Sequence, residues 1–227
     1  VVGFILLAPT LVVIPMSFGT TDFPIFPPPS YGLRWYENFF TDGKWLSALA
    51  SSTRIAVVVT LLATALGTAA ALGVSRLAKR RQGWLDAFFI VPMSVPAIVT
   101  AVALYYLFAP MGWVANSMAV ILGHTVLAAP YVYITMRAAL RSLDPSLELA
   151  ALSMGASWPT MFRLVMLPAL IPSLIGGAVF AFVSSFDDVV MALFLTTIRN
   201  RTLPKLMFEG LANDFDPTVI SASCLLV

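Results

Sequence analysis

The sequence reads Glu148-Leu149-Ala150-Ala151-Leu152-Ser153-Met154-Gly155, continues for nine residues, and closes this stretch with Val165-Met166-Leu167-Pro168. Long apolar segments lie on both sides of it. The stretch contains an alanine pair, a glycine four residues later and a Leu-Pro step that ends thirteen residues after the glycine. This spacing predicts a helix-turn-helix in the loop between two membrane segments.

The first half of the stretch carries the signals of a short helix. Asp144 can accept hydrogen bonds from free backbone amides, and Pro145 fits the first helical turn, so the helix begins there. The helix continues over Ser146–Met154. Gly155 has no Cβ and can adopt the positive φ that commonly ends a helix.

The second half predicts another short helix and the entry into a membrane span. Ser157-Trp158-Pro159 restarts the helix, which continues through Arg163, and Leu167-Pro168 marks the start of the next span. Ala150 and Ala151 are small enough for another backbone to approach closely. Such a helix-turn-helix can fill a groove on a partner protein and move with it. An ordinary helical hairpin is the alternative, because alanine pairs and glycines are common.

The composition is that of a membrane protein. Of the 227 residues, 59% are hydrophobic and 11% are charged, and the mean hydropathy is +0.92. Soluble domains contain about 25% charged residues, so this chain has too little polar surface to stay in solution. The net charge of +2 includes no basic arm and predicts no nucleic-acid partner. One cysteine and one histidine predict no disulfide framework and no metal site.

The apolar segments predict an all-α protein with about six transmembrane helices. A helix needs about 20 apolar residues to cross a bilayer. The uncharged run Ala87–Met136 is long enough for two spans, with a turn at Ala109–Gly112 where proline and glycine interrupt the pattern. We expect the first and last spans to extend beyond the ends of the sequence. The predicted spans are Val1–Phe18, Ile55–Val74, two within Ala87–Met136, Leu164–Phe186 and one that begins at Pro217.

Basic residues set the predicted orientation. Loops rich in lysine and arginine stay in the cytoplasm. Four such residues crowd the short loop between the second and third spans: Arg76, Lys79, Arg80 and Arg81. Alternation then places residues 137–168 in the cytoplasm and residues 19–46 and 187–216 outside, as loops of a single membrane domain over residues 1–227. If the four charges only solvate a turn, the orientation stays open.

The first outer loop, residues 19–46, contains two different segments. Phe23–Pro29 is rich in proline and cannot be helical, because proline lacks an amide hydrogen and fixes φ. We expect an extended strap over the outer face. Leu33–Phe40 is amphipathic and aromatic, which predicts a short helix in the membrane interface.

Two adjacent acids, Asp187 and Asp188, lie between apolar segments. At 1.5 Å per residue, Asp187 is about 28 Å along a helix from Pro168, in the outer part of the bilayer or at its surface. Charges there are costly and usually face a cavity or a partner, so these carboxylates are candidates to stabilise a cation that crosses the membrane. Alternatively, one acid caps a helix break and the other pairs with Arg199 or Arg201.

Aromatic rings are further candidates for a cation path, because a ring face attracts a cation by about 0.5–2 kcal/mol. Lipid-facing or interfacial positions are the alternative for each ring. The candidate rings are Phe186, Tyr105, Tyr106, Tyr131 and Tyr133. His124 has no acid near it in sequence, which favours a core histidine with satisfied hydrogen bonds over a proton relay. Prolines inside the spans predict kinked helices: Pro92, Pro96, Pro130 and Pro172.

The sequence contains no motif for catalysis. No phosphate-binding loop of the form G-x-x-x-x-G-K-[ST] occurs, so the chain is not expected to bind ATP. No combination of nucleophile, base and orienting acid occurs in a plausible pocket. We therefore expect neither an enzyme nor a cofactor held by this chain.

The chain resembles the permeases of type I ABC importers, and most of all those of the spermidine/putrescine group. The resemblance implies a multi-pass subunit of the bacterial inner membrane, in an ATP-driven importer for a polyamine or related organic cation. It also implies several partners: an ABC ATPase dimer that holds ATP and Mg, a second permease, a periplasmic or extracellular solute-binding protein, and membrane lipid. The matching segments are Leu143–Glu148, Ala150-Ala151, Gly155–Ser157, Leu167-Pro168 and Ser184–Val190.

The resemblance also assigns contact with the ATPase to six residues of the cytoplasmic loop: Glu148, Ala150, Ala151, Gly155, Leu167 and Pro168. The family usually has a glutamate directly before the alanine pair, where this chain has Leu149. Glu148 lies one residue earlier, about 100° around the helix, so the role of that acid cannot be transferred to Leu149. The alternative functions are a secondary transporter or channel without an ATPase, a non-transporting scaffold, and a permease for iron, phosphonate, thiamine or opine-like compounds.

Overall fold

The computed structural model describes residues 2–212 and 215–226, with side chains from residue 10 onward. Within these residues the regular structure is helical, apart from one isolated antiparallel bridge between Gly19 and Tyr31. The all-α prediction is confirmed. The α-helices are α1 (Val2–Ser17), α2 (Arg34–Thr41), α3 (Gly43–Ser75), α4 (Lys79–Ser94), α5 (Ala97–Phe108), α6 (Met118–Ser142), α7 (Pro145–Ser153), α8 (Trp158–Met161), α9 (Leu167–Phe186), α10 (Val190–Leu195), α11 (Leu203–Ala212) and α12 (Thr218–Leu226).

Three described helices are long and apolar enough to cross a membrane: α3, α6 and the continuous stretch Trp158–Phe186. The pair α4 and α5 would be a fourth span if it is counted as one broken helix. At the two ends of the sequence, where the first and last spans are predicted, α1 has 16 residues and α12 has 9.

The predicted third span differs from the structure. Its helix begins at Lys79, before the predicted start at Ala87, and it bends by 91° between α4 and α5. The break lies at Val95-Pro96, where Val95 adopts extended backbone with φ −83° and ψ 129°. Proline disfavours the helical region for the residue before it, and the backbone of Val95 follows this preference. The predicted turn at Ala109–Gly112 is confirmed, because α5 ends at Phe108 and Gly112 has φ +70°.

The chain divides into two compact units, Val1–Ser52 with Ile198–Val227, and Thr53–Thr197, where the sequence predicts one membrane domain. In the first unit, Asn38 donates to Thr218 Oγ1 at 2.7 Å, and Ser52 Oγ accepts from the Leu203 amide at 2.8 Å. The proline-rich segment is not helical, and the short amphipathic helix after it forms as predicted, as α2.

In the second unit, α6 is the central helix of the core. Glycines let two other helices approach it closely. A Cβ added to Gly67 on α3 would lie 2.8 Å from the Ala129 carbonyl oxygen, and one added to Gly177 on α9 would lie 2.6 Å from Thr135 Oγ1. Both distances are too short for real atoms, so larger side chains would push α3 and α9 away from α6. Small residues at helix contacts are typical of membrane bundles.

Candidate coupling surface and translocation path

The cytoplasmic loop has two arms, α7 before the turn at Gly155 and the helix that begins at Trp158 after it. The first arm folds as its local signals predict. The Asp144 side chain accepts a hydrogen bond from the Ser146 backbone amide at 2.8 Å, and Pro145 occupies the first helical position of α7. The same backbone hydrogen bond lowers the pKa of Asp144 below its ordinary value, because it stabilises the ionised carboxylate. The helix is therefore capped at neutral pH.

The turn after α7 depends on Gly155. Its φ is +83°, a conformation that L-residues rarely adopt. The Gly155 amide donates to the Leu152 carbonyl at 2.9 Å, and the Ala156 amide donates to the Ala151 carbonyl at 3.1 Å. These two bonds form a Schellman motif, which satisfies the carbonyls at the helix end. No atom lies within 4 Å of a Cβ built at Gly155, so the backbone conformation is what requires glycine there.

The second arm runs directly into a membrane span. After α8, a π-helical turn covers Phe162–Met166, and α9 follows without a break. The predicted second helix therefore does not end near Arg163. The widened turn directly precedes Leu167 and Pro168, whose ring cannot pack against the carbonyl four residues earlier in a regular α-helix. The turn thus connects the loop to the span as one helical rod.

Arg76, which follows the last residue of α3, holds both arms of the loop. Its Nη1 donates to Glu148 Oε1 at 2.6 Å on the first arm. On the second arm, its guanidinium carbon lies 5.7 Å from the centre of the Trp158 ring, and its Nη2 lies 3.7 Å from Met166 Sδ. Beside these contacts is a cavity of about 170 Å³. The loop is therefore tied to α3 as well as to α9.

The contact with Arg76 decides which side chains of α7 stay free. Glu148 is turned toward Arg76, whereas Leu149 is 65% exposed. Ala150 is exposed and Ala151 is buried. Other large apolar side chains on the outside of the loop are also exposed: Leu147, Leu152, Met154 and Trp158. The free surface of the loop is thus largely apolar, and its single glutamate faces inward.

The acid pair lies at the break between α9 and α10. The Asp187 amide donates to the Val183 carbonyl at 3.0 Å, so Asp187 ends α9. Asp188 Oδ1 accepts from the Met191 amide at 2.6 Å and caps α10. One half of the alternative interpretation, a helix cap, therefore applies to Asp188. Arg201 pairs with Glu209 at 3.2 Å, and the ion pair of the other acid with Arg199 or Arg201 stays a prediction.

Asp188 also meets the lone histidine. His124 Nε2 lies 3.5 Å from Asp188 Oδ1, and His124 Nδ1 shares a hydrogen bond with Ser185 Oγ at 2.8 Å. The Nε2 contact lacks hydrogen-bond geometry. The His124 side chain is 1% exposed and that of Asp188 is 17% exposed. The fold thus supplies the acidic neighbour that is absent from the sequence around His124.

The aromatic candidates lie in separate contacts. Phe186 stacks on Phe182 at 5.5 Å between ring centres, and Tyr131 stacks on Phe180 at 6.4 Å. Tyr105 packs against Tyr106 at 5.9 Å. Among the described residues, none of these ring contacts includes the acid pair. Their place along a cation path stays a prediction.

Comparison with known proteins decides the family. Residues 63–226 match the family described as "Binding-protein-dependent transport system inner membrane component". The chain belongs to this family. It is a multi-pass permease of the inner membrane, in an ABC importer that depends on a binding protein. The permease is not itself an enzyme, and ATP hydrolysis belongs to a separate chain.

Individual relatives cover most of the permease. It is 31% identical to the putrescine transport system permease protein PotI of Escherichia coli K12, over 99% of this chain and 83% of PotI. It is 28% identical to the spermidine/putrescine transport system permease protein PotC of Haemophilus influenzae, over 87% of this chain and 77% of PotC. A chain of a bacterial ABC transporter involved in alginate import aligns with a TM-score of 0.77 at 13% identity, covering 98% of this chain and 84% of that one. At that identity the likeness concerns the fold alone.

A buried ion cluster ties α4 to α6 in the permease. Arg137 donates to the Asp86 carboxylate from Nε at 2.8 Å and from Nη2 at 3.1 Å, and Arg141 donates to it at 2.7 Å. Tyr133 also donates to Asp86, and Gln82 accepts from Arg137 at 3.0 Å. The Arg137 side chain is 6% exposed and that of Arg141 is 64% exposed. The buried charge of Arg137 therefore depends on Asp86.

Neither this cluster nor the contacts of Arg76 were predicted from the sequence. A signal for the cluster existed, because the uncharged run Ala87–Met136 is bounded by Asp86 at one end and by Arg137 at the other. Two antiparallel helices bring such ends together, and opposite charges there are expected to pair. Arg76 and Glu148 are separated by 72 residues, and no sequence pattern connects them.

Proposed function

We propose that the permease forms the membrane path for a polyamine or a related organic cation. The putrescine and spermidine/putrescine permeases among its relatives support this substrate class. The observation that carries the proposal is Asp188, a carboxylate held at the break between two apolar helices, with a side chain that is 17% exposed. A carboxylate at such a place is costly unless it meets a cavity or a positive group. An alkylammonium group is such a partner.

The acid pair has free acceptor atoms for this role. Both polar contacts of Asp188 use Oδ1, and Oδ2 has no hydrogen-bond partner within the part of the chain that the structure describes. Asp187 is exposed, and its carboxylate forms no ion pair among the same residues. Phe186, Tyr105 and Tyr131 are the proposed rings that extend the path for a cation by attraction to their faces.

The cytoplasmic loop is the proposed contact with the motor. The apolar side chains Leu149, Leu152 and Met154 fill a groove on a partner ABC ATPase. Ala150 lets the two backbones approach closely, and Gly155 sets the angle between the two arms of the loop. Ala151 is buried inside the permease, and this packing keeps the loop fixed to the rest of the chain while the partner moves.

Movement of the loop is transmitted to the membrane by two routes. The first is the helical rod through Leu167 and Pro168 into α9, and the second is the contact of Glu148 with Arg76 at the end of α3. In this proposal Glu148 acts within the permease and does not reach the ATPase. ATP binding would close the motor and turn the spans toward the outside, and hydrolysis would return them.

The proposed assembly contains two ATPase copies that hold ATP and Mg, a second permease subunit and an external solute-binding protein. The proline-rich segment Phe23–Pro29 and the outer loop from Arg199 to Asp216 are the proposed docking segments for the binding protein. These partners are typical of an importer in which one protein captures the solute and another supplies the energy. A similarity to a binding-protein-dependent family over residues 63–226 supports this arrangement.

The test uses the assembled importer in liposomes, with its binding protein outside and radiolabelled putrescine as the solute. Uptake and ATP hydrolysis are measured for Asp187→Asn and Asp188→Asn, separately and together. Asparagine is as good a helix cap as aspartate, so these variants remove charge and keep the cap. Ser184→Ala is the matched control without a charge change.

We expect the double variant to lose uptake of putrescine by a larger factor than it loses stimulated hydrolysis. Uptake should fall about tenfold or more, because a single charge contact of about 1.4 kcal/mol corresponds to a factor of ten. Equal loss of both activities would assign the acids to the structure of the helix break. Unchanged uptake would remove them from the path.

A further inference from the structure

An open groove of about 610 Å³ lies between α3, α4 and α6 of the second unit. Its walls are almost entirely apolar and include Leu66, Phe88, Val91 and Val126, all of which are exposed. The volume falls in the range of about 300–1,000 Å³ that is typical of sites for small organic molecules. In a membrane protein, an apolar groove of this size is suited to a hydrocarbon chain.

One face of α4 connects this groove to a cationic end. Arg81, Trp84, Phe88 and Val91 follow one another at spacings of three and four residues, so they lie on the same helix face. Trp84 is 82% exposed and Phe88 is 68% exposed. The order along the helix is therefore a charge, an interfacial aromatic ring and then apolar side chains. Membrane proteins place tryptophan at the level of the lipid headgroups.

The charges at the base of this face are available for a ligand. The side chains of Arg80 and Arg81 are exposed, and neither forms an ion pair or hydrogen bond within the described ranges 10–212 and 215–226. Both arginines lie in the first turn of α4, at the end of the span that the basic residues predict to be cytoplasmic, where the leaflet carries anionic lipids. Arg81 and Val91 are about 15 Å apart along the helix. This is about half the thickness of the hydrocarbon core.

We propose that this groove binds an anionic phospholipid of the cytoplasmic leaflet. Arg80 and Arg81 hold the phosphate, Trp84 lies at the level of the headgroup, and one acyl chain fills the groove beside Phe88 and Val126. A second protein helix would cover the apolar groove but would leave two adjacent arginines without a partner. The combination of charge, ring and groove in one line fits the three parts of a phospholipid. Basic sites between transmembrane helices bind anionic headgroups in the same way.

The test measures which lipid stays bound to the purified importer. The assembled complex is reconstituted in vesicles of equal parts phosphatidylglycerol and phosphatidylcholine, extracted into mild detergent, and analysed by native mass spectrometry. Arg80→Gln with Arg81→Gln removes the phosphate contact. Arg54→Gln with Arg199→Gln is the matched control, because it removes the same charge from exposed positions outside the groove.

We expect the wild type and the control to retain phosphatidylglycerol in preference to phosphatidylcholine. Each arginine near the membrane surface contributes about a fivefold preference, so the preference for phosphatidylglycerol should fall about 25-fold in the Arg80/Arg81 variant. Val126→Trp fills the groove and keeps both arginines, and it should reduce the bound lipid as well. An unchanged phosphatidylglycerol ratio in the Arg80/Arg81 variant would overturn the proposal.

A second measurement separates a lipid from a protein occupant. Phe88→Cys in an otherwise cysteine-free permease is labelled with a nitroxide, and its spectrum reports the neighbouring molecule. Broadening by a spin-labelled phosphatidylglycerol supports the lipid. Efficient cross-linking of Phe88→Cys to a cysteine on the second permease subunit would overturn it, because the groove would then be a subunit contact. Neither readout depends on transport, so the outcome is independent of the substrate.

Discussion

Replacing Asp86 by asparagine should destabilise the permease by about 3–5 kcal/mol. The substitution keeps the shape of the side chain and removes the negative charge opposite Arg137, whose side chain is 6% exposed. Asparagine has only one acceptor oxygen, so the two hydrogen bonds from Arg137 to the carboxylate at 2.8 and 3.1 Å cannot both be kept. The cost is large because the remaining cation stays buried without a counter-charge.

The same cluster provides two controls for this reasoning. Arg141 donates to the same carboxylate, but its side chain is 64% exposed, so Arg141→Gln should cost only about 0–1 kcal/mol. Asp86→Leu combined with Arg137→Met removes both buried charges and leaves apolar groups of similar size. Replacing a whole buried pair in this way is often neutral or stabilising, so the double variant should regain most of the stability.

The assay is the midpoint temperature of unfolding of the assembled importer in detergent, followed by intrinsic tryptophan fluorescence. For a chain of this size, 1 kcal/mol corresponds to about 2–4 °C. Asp86→Asn should therefore lower the midpoint by roughly 6–20 °C, and Arg141→Gln by no more than about 4 °C. Equal shifts for these two variants would refute burial as the cause. A double variant that is no more stable than Asp86→Asn would refute the argument from the unpaired charge.

Three further predictions concern the cytoplasmic loop. Gly155→Pro should raise the ATP hydrolysed per solute taken up, because proline fixes φ near −65° and Gly155 has φ +83°; Gly155→Asn, which tolerates positive φ, is the control. Arg76→Gln should uncouple in the same assay but more weakly, since its ion pair with Glu148 is partly exposed and such a contact contributes about 0.2–1 kcal/mol; coupling equal to wild type would show that the contact transmits nothing. The cap at Asp144 should persist above its unfolded pKa of about 3.9 and be lost as the pH falls through its lower folded pKa. A lower protection factor of the Ser146 amide, measured against the intrinsic exchange rate at each pH, would show this loss. Asp144→Asn, which stays capped, should remove that dependence on the carboxyl group.

The loop was predictable because its signals act over a few residues. The cap at Asp144, the positive φ at Gly155 and the proline at the start of α9 each act on the backbone next to them. The presence of spans within α3 and α6 was predictable for a similar reason, since an uncharged run of about 20 residues has few alternatives in a bilayer. The length of α3 was not predicted, because the helix begins at Gly43 and has 33 residues, whereas the predicted span is Ile55–Val74. Local chemistry and hydropathy are therefore enough to predict the cytoplasmic loop and the presence of the long spans.

The bend between α4 and α5 shows where such signals fail. Pro92, Pro130 and Pro172 lie inside helices that continue past them, whereas Pro96 lies at a break with a 91° bend. A proline removes one hydrogen bond in every case, and neighbouring helices decide whether the chain continues or turns. Whether a helix breaks at a proline therefore depends on its packing against neighbouring helices, and the presence of proline in the sequence does not predict it.

The candidate site also depends on contacts between distant segments. His124 was expected to be a satisfied core residue because no acid lies near it in sequence. The break after α9 brings Asp188 to within 3.5 Å of its Nε2, while Ser185 satisfies Nδ1. Ser185 lies on α9 and Asp188 lies at the break after it, so hydrophobic periodicity along α6 carries no information about either partner.

In this chain the glutamate lies at position 148, one residue before the position that the family usually gives it, where this chain has Leu149. This difference affects both the permease and the partner ATPase at the proposed coupling surface. Successive residues of a helix are rotated by about 100°, so an acid at position 149 would project from the loop, where Leu149 is now 65% exposed. A partner ATPase would then need a cation opposite it. With the acid at 148, that charge pairs with Arg76 at 2.6 Å inside the permease, and the docking surface needs only apolar complementarity. The loop thereby gains an attachment to α3 in addition to its continuous helix into α9. A displacement imposed by the motor would reach two spans at once, which favours movement of the loop as a rigid lever over bending at its base.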